Sequence, residues 1–512
     1  MSLRGRPYIA VLFFILSLSA RAKAYDVQHY ELSIEPDFAA KHISLSASVV
    51  IDNPTLESSF SFELNERYQS IVVSSPQSPV AFQRQRGLIT VTVEKPAPKV
   101  TLVFNLRGSL GKSMDEERDV IDDPSLFLLW SDRFYPITFS DWATVKTTII
   151  LPAEFEVVAP GREIKLEHEG PKTRHVFEST VPEVNFSVFA DTQWIRTERK
   201  LNGIRMQTLL HPESQKFAEQ ILASSSQVLK FYSDTFCPYP FAQFSFITIK
   251  GMFARRAFSD AVGYEPKYLE KEFTTTGHDA HETSLLWWGY TIRGEGRGSS
   301  QWLEGFGDYA EVLYGEKHQK PLPKIFQFFR SKYLALPAEK DLLYSELRGS
   351  TDQAFVHGKY PWLMHLIRYV IGNKGFERAM KLLFKKQKFH ALTMDEFLAT
   401  LEEGSGQSLQ WFRDEWLKRR RVPVISLGSD VQNVGGTYQI KCVLEQIGEI
   451  YHLPVEIGIQ TEEGIKVEKV FLKEKQATFS FQSEKKPIRI LLDPNDWIIK
   501  KVVVTTSTEP NR

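Results

Sequence analysis

Residues 277–311 read GHDAHETSLLWWGYTIRGEGRGSSQWLEGFGDYAE, and two short runs within them decide how the rest of the chain is read. His281 and Glu282 open a helical pattern. An HExxH motif on a helix sets two imidazoles one turn apart on one face, with the Glu about 100° round as a general base. Here the fourth position after His281 is Leu285, which has no electron pair to give a metal. Eighteen residues separate Leu285 from Glu304, and WLEGFGDY around Glu304 reads as a second helix that delivers a carboxylate. His278 stands three residues before His281 and is a candidate substitute, at the cost of moving a ligand one turn away from Glu304. Each feature also has a plain structural reading. His281 and Glu282 fit a polar pair at a domain seam, and Leu285 fits core filler, where burial contributes about 1.5–3 kcal/mol. Trp287, Trp288, Trp302 and Phe306 fit core better than a substrate box.

Upstream, the texture is β-rich. YDVQHYELSIEP, HISLSASVVIDN, LITVTVEKPAPKVTLVFNL and TVKTTIILPAEFEVVAPG alternate with period two between Pro, Gly and Asn, so residues 25–200 read as an all-β domain. From Pro212 the spacing of Phe217, Ile221, Leu222, Leu229 and Tyr232 turns helical, and helical patterns run to about Arg420 with one apolar strand candidate at Phe244–Lys250. KRRRVP at Lys418–Pro423 reads as a helix end and linker, since cations suit a helix C-terminus and Pro cannot continue it. Alternation then returns in TYQIKCVLEQ, YHLPVEIGIQ, KVEKVFLK, ATFSFQ and PIRILLDP, the pattern of a β-sandwich over 423–512. The expected fold is multidomain α+β: an N-terminal all-β domain (25–200), an α-rich middle (201–422) and a C-terminal β-sandwich.

The N-terminus carries Arg4 and Arg6, an apolar run from Tyr8 to Leu18, and Ala22 and Ala24 at small-x-small spacing, a signal peptide (1–24) with cleavage expected after Ala24. That implies export to a periplasmic or extracellular space. The apolar run is about half the ~20 residues a bilayer-spanning helix needs, and no later run approaches that length, so no transmembrane segment is expected after cleavage. Lys plus Arg equals Asp plus Glu at 63 each, which gives no basic excess for nucleic acid. Cys237 and Cys442 are too few for a disulfide framework or a thiolate zinc site, and allow at most one bridge.

HETSLLWWG followed by the Glu of WLEGFGDYAE resembles the M1 metallopeptidases, the gluzincin aminopeptidases, whose pattern is HExxHxWWG with Glu at the same distance. YDVQHYELSIEP, YPITFSDW, FYSDTFCPYPFAQFSFI and WFRDEWLKRR extend the likeness over nearly all of the chain past Tyr25, in a short bacterial-type form that ends in a β-sandwich. The resemblance implies a thermolysin-like middle domain and zinc as cofactor, weakly held or absent here. It makes His281 and Glu304 metal ligands and Glu282 the general base, with Leu285 at the second ligand position. The family's transition-state tyrosine falls on His357 in HGKYPWLMHLIRYVIG, and an imidazole can donate to an oxyanion, though its reach and pKa differ from a phenol's. His357 fits a surface or capping histidine equally well. The family's substrate-anchoring GxMEN strand matches GMFARR only loosely. This makes Gly251, Met252 and Arg255 candidate substrate contacts, with Arg255 and Arg256 set to repel an ammonium group and, if they face the cleft, to favour an acidic ligand. Two readings follow. The preferred one is a catalytically inactive or impaired M1-like protein that keeps its cleft for a peptide or protein ligand. The alternative is an active zinc peptidase with an altered metal shell, Glu282 activating water and His357 steadying the oxyanion.

Overall fold

Strand Asp26–Asp37 buries Tyr30, Leu32 and Ile34 on one side, and a bulge between Val27 and His29 brings Val27 to the same side. The computed structural model describes residues 24–503 apart from 114–115, 117, 123, 139–140, 276–278, 297–298, 319–321, 338–339 and 348–353, and leaves out the side chains of 275, 299–301, 322–324 and 345. Residues 1–23, which hold most of the expected signal peptide (1–24), and His278 lie outside the described residues.

Asp26–Asp37 pairs antiparallel with His42–Asp52 and parallel with Thr144–Pro152, at the centre of a seven-stranded sheet. A three-stranded sheet (Ser59–Glu63, Leu88–Val93, Val80–Gln85) shares its core, with Phe62 meeting Phe104 edge-to-face at 5.4 Å between ring centroids. A smaller sheet, which includes Ser125–Leu128, Glu156–Val158 and Val188–Asp191, carries the β unit towards the middle of the chain.

The middle unit begins with a five-stranded sheet in the order Ile195–Leu201, Ile204–Leu210, Gln243–Thr248, Ala261–Tyr264, Arg255–Ala257. Its first hairpin straddles residues 200 and 201, so the sheet starts before the boundary the alternation suggested. Gln243–Thr248 is buried at all six positions and parallel to both neighbours, as expected for a central strand without alternation. The described helices of the middle unit include α1 (Ala218–Thr235), α2 (Pro266–Thr275), α3 (Ala280–Leu285), α4 (Ser299–Lys317), α5 (Leu322–Leu334), α6 (Tyr360–Gln387) and α7 (Met394–Ser405). A π-helical turn, Phe355–Lys359, feeds α6, which breaks at Gly372 where φ is 73°. One aromatic-rich core joins α1, α3, α4 and α6 through Tyr232, Trp287, Trp288, Phe306 and Phe384. None of the described helices is long and apolar enough to cross a membrane.

Beyond Pro423 lie a four-stranded sheet (Gln476–Ser483, Thr437–Gln446, Val424–Val434, Lys501–Val503) and a three-stranded sheet (Gly464–Leu472, Leu453–Thr461, Arg489–Leu492). Ile440 and Leu444 of the first and Val455 and Ile457 of the second belong to the same buried cluster. Cys442 is buried here, Cys237 is half-buried in the middle unit, and both thiols are free.

Candidate functional site

α3 is short, and its placement depends on what holds its ends. Asp279 is its N-cap, with a side-chain oxygen accepting from the Glu282 backbone N–H at 3.1 Å. The Tyr232 hydroxyl of α1 donates to the Ala280 carbonyl at 2.9 Å, and the Trp287 indole donates to the Cys237 carbonyl at 3.0 Å. Both tryptophans after α3 are fully buried, which makes them the packing base of the site.

α4 runs against α3 because it carries glycine where the two approach. A Cβ on Gly307 would lie 2.7 Å from Leu285 Cδ2 and 3.0 Å from Ser284 Oγ, while one on Gly305 would lie 2.5 Å from Tyr360 Cβ and 2.6 Å from the Val356 carbonyl oxygen. The EGFGD run therefore admits a leucine on one side and the π-helical turn on the other. Leu285 is half-buried, packs on Gly307, and also borders the adjoining cleft.

His281 is 4% exposed, with Nε2 3.0 Å from Glu304 Oε1 and Nδ1 2.9 Å from Asp308 Oδ1. The other Asp308 oxygen lies 2.7 Å from His357 Nδ1, so one carboxylate bridges two imidazoles. Burial opposes charge on His281, but Asp308 and Glu304 hold its pKa well above the usual imidazole value. Burial likewise works to raise the Asp308 pKa, and the His281 and His357 imidazoles overcome it and keep the carboxyl below its ordinary value. Among the described residues, His281, Asp308 and Glu311 form one set of ligand-type side chains whose donor atoms lie within 4.8 Å of one another. Asp308 and Glu311 were not singled out in the sequence. Their signal was the i, i+4, i+7 spacing of Glu304, Asp308 and Glu311 on one helical face.

Glu282 lies on the other side of His281. Burial pushes its carboxyl up to about 7, against the pull of His281 and Arg255. Arg255, on the edge strand Arg255–Ala257, places Nε 3.1 Å from Glu282 Oε1 and Nη1 3.3 Å from Glu272 Oε1 and 3.9 Å from Asp279 Oδ1. One guanidinium thus serves three carboxylates. Burial alone would lower the Arg255 pKa, but Asp279, the Tyr264 phenol and Glu282 raise it, so the cation is held charged over the Glu282 carboxyl.

A cleft of about 640 Å³ opens beside these groups, bordered by Glu282, Leu285, Glu304 and Arg255, by Trp130 and Asn185 of the β unit, and by Arg256, Tyr290 and Arg293. Of the GMFARR segment, Arg255 and Arg256 border this cleft. Met252 is 4% exposed in a small core with Phe127, Trp194 and Phe258, and Gly251 turns the chain at φ 77° beside Arg118. His357 meets Asp308 and does not border the cleft.

The chain shows distant similarity to M1 aminopeptidases, at 23% identity. No family model matches it. Among curated proteins it is similar to aminopeptidases M1-D and M1-C of Oryza sativa subsp. japonica, each 23% identical, over 79% and 78% of this chain and 51% and 50% of theirs. It is also similar to aminopeptidase N of Lactococcus lactis subsp. lactis, 31% identical over 81 residues, 16% of this chain and 10% of that protein. The chain spans about half the length of the rice relatives it matches.

Proposed function

We propose that this is an exported M1 metallopeptidase-like protein whose hydrolytic centre is lost or strongly impaired, and whose cleft is retained to bind peptides or protein segments. The contact of Leu285 with Gly307 carries the reading. A catalytic zinc takes three protein donors and one open position. His281 Nε2 and Glu304 Oε1, 3.0 Å apart, are two donors, and Asp308 backs His281 as a carboxylate backs a metal-bound imidazole. The third place falls on a leucine methyl seated against a helix. In this reading the His281–Asp308–Glu311 set does not replace it, since Glu304 lies outside that set and both Asp308 oxygens already face imidazoles. On that reading the described residues supply two donors, not three, at the position the family resemblance marks. Arg255 adds a second impediment, since its Nε lies 3.1 Å from Glu282 Oε1 and already engages an oxygen that would take a proton from water. In this reading the C-terminal sheets form a β-sandwich that buttresses the middle unit. Export rests on the N-terminal pattern, and an N-terminus at Tyr25 in the secreted protein checks it.

A second reading, an active peptidase with an altered metal shell, draws on the retained His281–Glu304 pair and on a Glu282 carboxyl pushed up to about 7, near the range that suits a general base. Peptide hydrolysis by the wild type and Glu282→Gln separates the two. The proposal expects no turnover that depends on Glu282. A wild-type activity that drops about 10²-fold or more in the variant would establish the second reading instead.

A further inference from the structure

A second opening, of about 1080 Å³, lies between α5 and α6 of the middle unit and the two C-terminal sheets. Its base is an aromatic stack. The His365 ring lies 4.4 Å from Phe326 and 4.3 Å from Trp497 between centroids, and the second pair is nearly parallel at 19°. The Tyr309 hydroxyl stands 3.0 Å from His365 Nδ1, and burial, with the Arg368 charge beside it, pushes the imidazole pKa down to about 3. The base is therefore apolar and uncharged at neutral pH.

The rim is made of strand edges. Among the described residues, Lys501–Val503 pairs only with Val424–Val434, and Arg489–Leu492 only with Leu453–Thr461, and both border the opening. The Lys501 N–H donates to the Pro423 carbonyl at 3.0 Å, so Lys501 and Val503 face that neighbour, and the N–H and carbonyl of Val502 between them point away from it. Val502 is 51% exposed and Ile465 49% exposed at the same opening. A strand edge with open backbone groups and exposed apolar side chains is a template for another strand. The charges on the wall are balanced save one. Glu316 pairs with Arg368 at 2.7 Å, Asp493 with Lys500 at 2.6 Å, and Asp496 with Arg330. Arg489, exposed on its edge strand, has no counter-ion among the described residues.

We propose that this opening docks one extended segment of a partner protein, added as a strand beside Lys501–Val503, with apolar side chains turned inward at alternate positions and an acidic residue opposite Arg489. The site is separate from the cleft beside Glu282 and does not depend on how that cleft is read. A small apolar molecule would cover Ile465 and leave the Val502 backbone groups to water. An added strand bonds those groups and buries both exposed side chains, with alternation supplying the selectivity.

Calorimetric titration of the protein with capped heptapeptides tests this, the probe alternating Val and Thr around a central Asp so that neither terminus is charged. The site predicts saturable binding of the Asp peptide, about three-fold or more tighter than of a central-Lys version, since an exposed ion pair contributes modestly. Arg489→Glu reverses that order, which loss of folding cannot do. N-methylation of alternate peptide amides abolishes binding for one of the two possible sets and spares the other, as one-sided strand pairing requires. Val502→Pro removes an outward N–H and no bond to Val424–Val434, and weakens binding about ten-fold. No saturable binding of the Asp peptide up to about 1 mM overturns the proposal. Tolerance of both methylation sets, binding unchanged by Val502→Pro, or an order that Arg489→Glu leaves as it was overturns it equally. A wild-type dimer that Val502→Pro dissociates replaces the partner segment with a second copy of this chain.

Discussion

Leu285 and Gly307 act as a pair, and the pairing is measurable. Adding a methyl at Gly307 forces a contact of 2.7 Å with Leu285 Cδ2, so Gly307→Ala is expected to destabilise the fold by about 1–3 kcal/mol. In a Leu285→Ala background only the Ser284 Oγ approach at 3.0 Å remains, and the gain in helix propensity from Gly to Ala, about 0.5–1 kcal/mol, offsets part of the cost, so the same change is expected to destabilise less. Urea denaturation of the four proteins gives the coupling, and additive effects would mean that the two residues do not share the space. At this scale the sequence was informative where one residue type excludes a chemistry. A leucine cannot ligate, and the structure places Leu285 between α4 and the cleft. It was silent where a role depends on a distant partner. Nothing local to Arg255 announces Glu272, Asp279 and Glu282, and Met252 looked like a cleft residue until the Phe127, Trp194 and Phe258 side chains enclosed it. Arg293 and Tyr290 went unread for the same reason, since their neighbours Asn185 and Ala257 lie far along the chain.

Between elements, α4 is the piece on which the site depends. One stretch of it presents Glu304 and Asp308 to His281 and leaves glycines at the crossings with α3 and the Phe355–Lys359 turn. Gly305→Ala would bring a Cβ within 2.5 Å of Tyr360 Cβ and 2.6 Å of the Val356 carbonyl. Backbone cannot give way as a flexible side-chain end can, so we expect a loss of about 1–3 kcal/mol in urea denaturation together with a loss of the His357–Asp308 contact, seen as a changed His357 ring environment by NMR. An unchanged protein would show that α4 is free to shift. The helices of the middle unit were legible from their apolar spacing, and so were the N-terminal strands that alternate. The strands Ile204–Leu210, Arg255–Ala257 and Ala261–Tyr264 were not. They are short, and Ala261–Tyr264 is buried on both faces, so neither period two nor period 3.6 marks them. α7 shows the opposite case: Thr393 and Glu396 form a reciprocal capping box and Gly406 ends the helix at φ 74°, signals carried entirely by adjacent residues.

Across the whole molecule, the seam between the β unit and the middle sheet contains two buried acids. Glu183 Oε2 accepts from the Ser259 hydroxyl at 2.5 Å, and Asp260 Oδ2 accepts from the Gly161 N–H at 3.0 Å. Burial pushes the Glu183 carboxyl up to about 7, and burial with the nearby Glu183 charge raises Asp260 as well. A carboxyl whose pKa is higher folded than unfolded contributes stability that is fully present below the ordinary Glu value and is lost as pH rises through about 7. Glu183→Gln should therefore narrow the difference in urea midpoint between pH 5 and pH 8, and an unchanged difference would remove this seam from the account. The two β units flanking an α-rich middle were legible from alternation alone, whereas the seam was not, because its partners are brought together only by the docked sheets. The central claim concerns the metal. Zinc content of the purified protein, followed by chelator competition on the wild type and on Leu285→His, tests it most directly. The account predicts no tightly held zinc in the wild type and an affinity at least about ten-fold higher in the variant. One firmly bound zinc per wild-type chain would contradict it, because another donor would then stand in for Leu285.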